Sequence, residues 1–189
     1  MNVYDFDNTI YRGESGVDAF FFYLKRHPQL LLALPWGIHA VARYKKGKLS
    51  IDDAIAQYSG TIEAFCRKHI TEPADDVKRF WDTHMHKIKP YYLAQRRPDD
   101  VILSASMDIF LEEICRRLGI GNFIGSVTDV ANMRLVSFCY RENKVEAFRA
   151  VYPDAKVENF YTDSVNDTPM IEMSEHAFLV RGDEVTQIK

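Results

Sequence analysis

Three observations predict an α/β fold. From about residue 99 onward, short apolar strand-like runs alternate with helical runs, the pattern of a parallel sheet covered on both faces. The first residues, Val3-Tyr4-Asp5-Phe6, are also strand-like and belong with that sheet. Between them, over about residues 16–90, helix follows helix with no strand pattern. Residues 1–12 and 96–189 are therefore expected to form a Rossmann-like core, a parallel sheet with helices on both faces. Residues 13–95 are expected to form an all-helical cap inserted between its first and second strands.

Taken in order, the first strand stops at acidic and polar turn residues, and Tyr11 to Gly16 is a loop with Ser15 placed to cap a helix. Val17 to Lys25 is apolar nearly all round, which predicts a well-buried helix. His27-Pro28 breaks it. Residues 29–46 form a second helix, kinked or restarted near Pro35, with a basic end before Gly47. A third opens at Ser50 with Asp52 and Asp53 in its first turn and runs to about Tyr58. Further helices cover about 61–70 and 73–87, and Lys89-Pro90-Tyr91 leaves the region.

Val101-Ile102-Leu103 is then a buried strand emerging at Ser104. Asp108 to Leu118 is a helix closed by Gly119. Strands follow at 123–127 and 134–140, a helix at 143–151, a strand at 159–162, a short helix at 168–174 with Pro169 in its first turn, and a last strand at 177–180.

Composition narrows the function. Of 189 residues, 47% are hydrophobic and 13% aromatic, enough for a packed core. A net charge of −3 gives no electrostatic case for nucleic acid. Cys66, Cys115 and Cys139 are scattered, without a C-x-x-C pair, and read as buried thiols of a reducing compartment. The chain opens on a strand rather than a basic, then apolar, leader, so a cytoplasmic location is expected. The run Gln29 to Ala42 is too short to span a membrane and is interrupted by Pro35, Gly37 and His39. The histidines, His84 and His86 among them, have no spacing that suggests zinc.

In open α/β sheets, ligands bind beyond the carboxyl ends of the strands. The predicted strands deliver to that edge Asp5 and Asp7, then Ser104-Ala105-Ser106, then Asp163 with Asn166 and Asp167 in the following turn. Lys144 starts an intervening helix. Four acids, a hydroxyl and a lysine suit metal-assisted phosphoryl transfer. A carboxylate can accept a phosphoryl group, and a neighbouring acid can protonate the leaving alkoxide and then deprotonate water. Mg²⁺ takes oxygen ligands and keeps waters, so a few carboxylates and the substrate phosphate suffice. The phosphoryl oxygens need donors such as a serine hydroxyl and a lysine ammonium.

These residues resemble the motifs of the haloacid dehalogenase-like superfamily, phosphoserine-phosphatase-like branch. Asp5-Phe6-Asp7-Asn8-Thr9 is similar to its D-x-D-x-T motif, Ser104 to the second motif, Lys144 to the third, and Thr162-Asp163-Ser164-Val165-Asn166-Asp167 to the fourth. All occur in order, and the resemblance covers essentially the whole chain. It implies a Mg²⁺-dependent phosphomonoester hydrolase working through an aspartyl-phosphate on a small phosphorylated metabolite. Asp5 would be nucleophile and metal ligand, and Asp7 general acid/base and a metal ligand through its carbonyl. Ser104 and Lys144 would hold the phosphoryl group. Asp163 would bind the metal, Asp167 would support the metal shell and Lys144, and Asn166 would touch the phosphate. Ser164 departs from the family's usual glycine.

Other readings stay open beside these. Ser104 also suits a strand-end cap, Asp167 an N-cap for the Pro169 helix, and Glu14 either a substrate contact or a solvated loop acid. The cap arginine expected of a phosphoserine binder has no clear match, Arg43 and Arg67 qualifying only by lying in the cap, so phosphoserine is not the first expectation. The apolar run Leu30 to Trp36, followed by Arg43, Lys45, Lys46 and Lys48, suits cap core, or a patch for a lipid head group such as phosphatidylglycerophosphate at a membrane surface. A phosphate-binding protein without turnover, and phosphotransfer to an acceptor other than water, are the remaining alternatives.

Overall fold

A computed structural model describes residues 1–46, 53, 60, 63–140 and 142–189. The helix expected from Ser50 to Tyr58, Asp53 apart, and the basic residue Lys48 lie outside the described residues. Two compact units form: Met1–Gly16 with Ala74–Thr128 and Leu135–Lys189, and Val17–Pro73 with Asp129–Arg134.

The first unit is built on a seven-stranded sheet. Its strands are β1 (Asn2–Tyr4), β2 (Val101–Met107), β3 (Asn122–Asp129), β4 (Arg134–Ser137), β5 (Asn159–Thr162), β6 (His176–Arg181) and β7 (Glu184–Gln187). Their order is β4-β3-β2-β1-β5-β6-β7, with β1 at the centre. The pairs β1–β2, β2–β3, β1–β5 and β5–β6 are parallel, and β6–β7 is antiparallel. This is an α/β, Rossmann-like sheet.

Alternation along the strands sends successive residues to opposite faces. Val3 is in register with Val101 and Phe160. These join Leu103, Ile124, Phe148 and Met170 in one buried cluster, so helices α6 (Glu142–Val151) and α7 (Thr168–Met173) cover that face. On the other face Tyr4, Tyr161 and Phe178 stack across three strands, with ring centroids 4.4 and 4.7 Å apart. Tyr4 meets Tyr92 of α4 (Pro90–Gln95) edge-on. On α3 (Pro73–His84), Phe80 and Trp81 are fully buried. Trp81 packs on Phe6 and Tyr11, and its indole N–H donates to the Phe110 carbonyl of α5 (Asp108–Leu118) at 3.0 Å. A buried indole needs such a partner.

Local chemistry sets the ends. Helix α5 stops at Gly119, whose φ of 71° is open to glycine. The Ile120 N–H then bonds back to the Cys115 carbonyl at 3.0 Å, closing the helix end. Gly125 has a different task. A Cβ there would lie 2.6 Å from Leu111 Cδ1 and 2.7 Å from the Ser106 carbonyl, so only glycine lets β3 approach the end of β2 this closely.

The second unit contains α1 (Ser15–Arg26) beyond its first residues, a 3₁₀ stretch Pro28–Ala33, α2 (Leu34–Lys45) and a helical stretch over 63–69. The turn Asp129–Arg134 belongs to it, and Arg67 donates to the Asn132 side chain at 3.3 Å. No helix among the described residues is long and apolar enough to cross a membrane.

Several sequence expectations change. Helix α1 is not well buried: Val17, Phe20 and Phe21 are 52%, 46% and 62% exposed, and Ala19 is its buried apolar residue. An all-round apolar sequence buries only the stripe its neighbours reach. Strand β1 ends at Tyr4, although the Asp5 N–H still donates to Tyr161 at 2.8 Å. Strand β2 runs on past Ser104 to Met107 after a register shift. Strand β4 is shorter than expected and ends at Ser137. Helix α4 and strand β7 were not anticipated; every residue of β7 is exposed, so it carries no burial pattern to read. Cys115 and Cys139 are buried, which pushes their thiols up to about 12 and about 11, while Cys66 is half-buried.

Candidate active site

The turn after β1 is set by local hydrogen bonding. The Phe6 carbonyl accepts from Thr9, Ile10 and Tyr11 at 3.3, 2.8 and 2.9 Å, which wraps the chain tightly. Asn8 sits at φ 55°, a region asparagine tolerates better than most residues. Its N–H donates to Gly13 at 3.0 Å, and Gly13 itself takes φ 100°, where a side chain would be strained. The buried Phe6 ring anchors the turn from beneath, between Asp5 and Asp7.

Lys144, in the first turn of α6, carries the charge balance. Its ammonium donates to Asp5 at 2.8 Å and to Asp167 at 3.1 Å, with all three side chains buried. Asp167 also accepts from the Thr162 hydroxyl at 2.8 Å, and that hydroxyl in turn accepts from the Ser164 N–H at 3.1 Å. Thr162 thus ties the last residue of β5 to the turn that holds Asp167. Ser164 takes part through its backbone, so the absence of glycine leaves this link intact.

Asp7 faces a second set of donors. The Ser15 N–H, at the start of α1, donates to one carboxylate oxygen at 2.7 Å, and the Ser106 hydroxyl donates to the other at 3.1 Å. The Ser15 and Ser106 hydroxyls are 3.1 Å apart. Ser104 is buried, and its hydroxyl accepts from the Ser106 N–H at 3.1 Å, a strand-end turn bond. The amide of Asn8 donates to Glu14 at 2.5 Å, and Glu14 is an exposed loop acid.

The electrostatics are lopsided. Burial pushes Asp5 up to about 7 against the pull of Lys144, with Asp167 and Asp7 adding repulsion. Burial also raises Asp7, although Ser15 and Ser106 stabilise its carboxylate. Asp163 and Glu14 are raised by burial first and by neighbouring carboxylates second. For Lys144 burial acts downward, but Asp5 and Asp167 outweigh it and hold the ammonium above the usual lysine range. Negative oxygens exceed the positive charge that faces them, which favours a cation.

The donors are carboxylates and carbonyls with no soft ligand, the chemistry of a hard divalent ion. Among the described residues no three His, Cys, Asp or Glu side chains are already gathered to hold a metal. Mg²⁺ needs no such cage, because it keeps waters and uses one or two carboxylates with a substrate phosphate. The residues present therefore fit it.

Asp5, Lys144 and Asp167 thus come together, and Asp7 gathers Ser15 and Ser106. Asp163 is half-buried beside them, and the Asn166 side chain lies outside what the structure describes. Two participants stand in the sequence motifs without a role assigned to them. Ser106 lies two residues after Ser104, a same-side spacing along an extended strand, but its link to Asp7 crosses 99 residues. Thr162 has the sequence signal of a hydroxyl ending a strand, which by itself is common.

A profile of haloacid dehalogenase-like hydrolases matches residues 3–172. No curated protein matches significantly. Among solved structures, a protein of unknown function from Bordetella pertussis Tohama I superposes with a TM-score of 0.69 at 18% identity, over 94% of this chain and 87% of that one. A probable phosphoserine phosphatase from Vibrio cholerae gives 0.62 at 12% identity, over 93% of this chain and 55% of that one. A phosphoserine phosphohydrolase-like protein from Francisella tularensis gives 0.55 at 15% identity, over 94% and 86%. At these identities the likeness is one of fold. The profile match, which spans most of the length, decides the family: the chain belongs to the haloacid dehalogenase-like hydrolases.

Proposed function

We propose that this hydrolase is a Mg²⁺-dependent phosphatase that cleaves a small phosphate monoester through an aspartyl-phosphate. One observation carries the reading: a buried carboxylate, Asp5, is held by the Lys144 ammonium two residues from a second, half-buried carboxylate with its own donors, Asp7. Asp5 attacks phosphorus, the bond to the leaving oxygen breaks, and Asp7 gives that oxygen its proton. Asp7, now a carboxylate, takes a proton from water as the water oxygen bonds to phosphorus. The bond to Asp5 breaks and inorganic phosphate leaves. Lys144 and the Ser104 hydroxyl stabilise the transferring phosphoryl oxygens. Asp5, the Asp7 carbonyl and Asp163 would hold Mg²⁺, with Asp167 supporting them; the ion would supply charge neutralisation at the phosphoryl group. Asn166 and Glu14 would contact substrate. Residues 13–95 would act as the cap that selects the leaving group, in a cytoplasmic setting, on residues 1–12 and 96–189 as the core.

Phosphate release from a panel of esters tests this. Turnover should require Mg²⁺ and fall at least about 100-fold in Asp5→Asn. Tight binding of phosphate esters with no release above that variant would sink it and favour a binding protein.

A second reading is favoured by the exposed side chains of Phe20, Phe21, Leu31, Leu32 and Ile38, with Lys25 and Arg26 in the last turn of α1. These suit an apolar surface with basic residues, and hence a lipid head-group phosphate. Adding anionic vesicles that carry the phospholipid monoester discriminates the two.

A further inference from the structure

Lys89 is a charged side chain that neither the core nor the proposed chemistry uses. It is 2% exposed and immediately precedes α4. Its ammonium donates to two backbone carbonyls: that of Asn8, and that of Gly182 in the β6–β7 turn at 2.5 Å. Burial pulls it below the usual lysine range, a cost that an apolar residue of the same length would avoid.

The surroundings show what this cost maintains. The Lys89 N–H donates to Ile10 and the Arg12 N–H to Lys87, both at 2.8 Å, and Tyr11 bridges to Ile88. The Tyr91 hydroxyl donates to the Thr9 carbonyl at 2.8 Å. The Arg12 guanidinium grips both carboxylate oxygens of Asp183 at 3.0 Å. Segment 87–91 and the Gly182-Asp183 turn therefore hold residues 8–12 from two sides. The Lys89 ammonium ties the Gly182 carbonyl of that turn to the Asn8 carbonyl, in the Asn8–Thr9 peptide one residue beyond Asp7. Asn8 directly follows Asp7, whose carboxylate must face Ser15 and Ser106, and it sits in a left-handed conformation with little intrinsic preference to keep it there.

We propose that Lys89 is a positioning residue, which clamps the Asn8 carbonyl to the β6–β7 turn and so fixes the direction of the Asp7 carboxyl. Its catalytic consequence rests on the phosphatase reading above. A displaced general acid matters only where the leaving oxygen needs a proton. An alkyl phosphate needs one; 4-nitrophenyl phosphate, whose leaving group departs as the stable 4-nitrophenolate anion, hardly does.

The test uses the full chain with Lys89→Met and Lys89→Arg. Hydrogen exchange across residues 6–13 should speed about 10-fold in Lys89→Met, the loss of a charged hydrogen bond, while α5 is unchanged. Its kcat on an alkyl phosphate should fall about 100-fold with KM little moved, and on 4-nitrophenyl phosphate by less than about 3-fold. Lys89→Arg should recover part of the alkyl rate. Unchanged exchange over 6–13 overturns the clamp, whatever the activity. Equal loss on both esters overturns the link to Asp7, since a merely unstable protein loses both alike. A parent that hydrolyses neither ester overturns the phosphatase reading and the Asp7 role with it, and the exchange result then decides the clamp by itself.

Discussion

Replacing Lys144 by methionine removes a charge while nearly keeping length, and leaves Asp5 and Asp167 facing each other in a buried place. Both ion pairs are short, 2.8 and 3.1 Å, and the three side chains are only 5–11% exposed. Exposed pairs contribute about 0–1 kcal/mol; removing one partner of a buried pair costs about 3–5 kcal/mol, because the other charge stays behind. Protonation limits the loss here. Burial already lifts Asp5 to about 7, and without Lys144 it rises further, so Asp5 can become neutral. Its folded pKa then lies above its unfolded value of about 3.9, so the folded state holds the extra proton and stability falls as pH rises between the two. The expected cost is thus about 4 kcal/mol at pH 8 and less at pH 5. At about 2–4 °C per kcal/mol for a chain of this size, the pH 8 value corresponds to a Tm lowered by about 8–16 °C. Urea unfolding in EDTA at both pH values measures it. Adding Asp5→Asn to Lys144→Met should restore more than about 1.5 kcal/mol, since the stranded carboxylate is gone. A variant within about 1 kcal/mol of the parent at pH 8, or a double variant no better than the single one, refutes the claim that Lys144 neutralises this cluster.

Two further outcomes follow from other parts of the first unit. Gly125→Ala drives a methyl against Leu111 and the Ser106 carbonyl, so it should cost about 1–3 kcal/mol in urea unfolding and slow turnover by shifting the partner of Asp7; a parent-like midpoint counts against this packing. Hydrogen bonds from Arg116 and Arg117 hold the Glu113 carboxyl down at about 2, so its stabilisation is complete above its unfolded pKa of about 4.3 and is lost as pH falls toward 2. With Arg116 largely exposed, about 1–2 kcal/mol is at stake, and Glu113→Gln should flatten stability against pH in that window; an unaltered profile would show the pairing to be weak.

Periodicity and turn chemistry are local, and what they specify was legible without coordinates. The runs at 101–103 and 159–162, the helix closed by Gly119, and the Asp5 and Asp163 strand ends depend on neighbours a few residues away. That these ends carry acids, a serine and a lysine was enough to suggest the chemistry. What depends on residues far along the chain was not legible. Ser106 reaches Asp7 across 99 residues, and Lys89 reaches Gly182 across 93. No pattern in a strand or helix encodes which distant donor will face which carboxylate. Burial behaves the same way. The apolar ring of α1 promised a covered helix and the polar β7 promised no strand, yet exposure and pairing are settled by which surfaces meet. The sequence by itself determined the α/β class, the central strands and the types of group placed near their ends. Only the tertiary structure decided their partners, and with them the charge imbalance that favours a cation, because electrostatic and hydrogen-bond partners are chosen by distance in space.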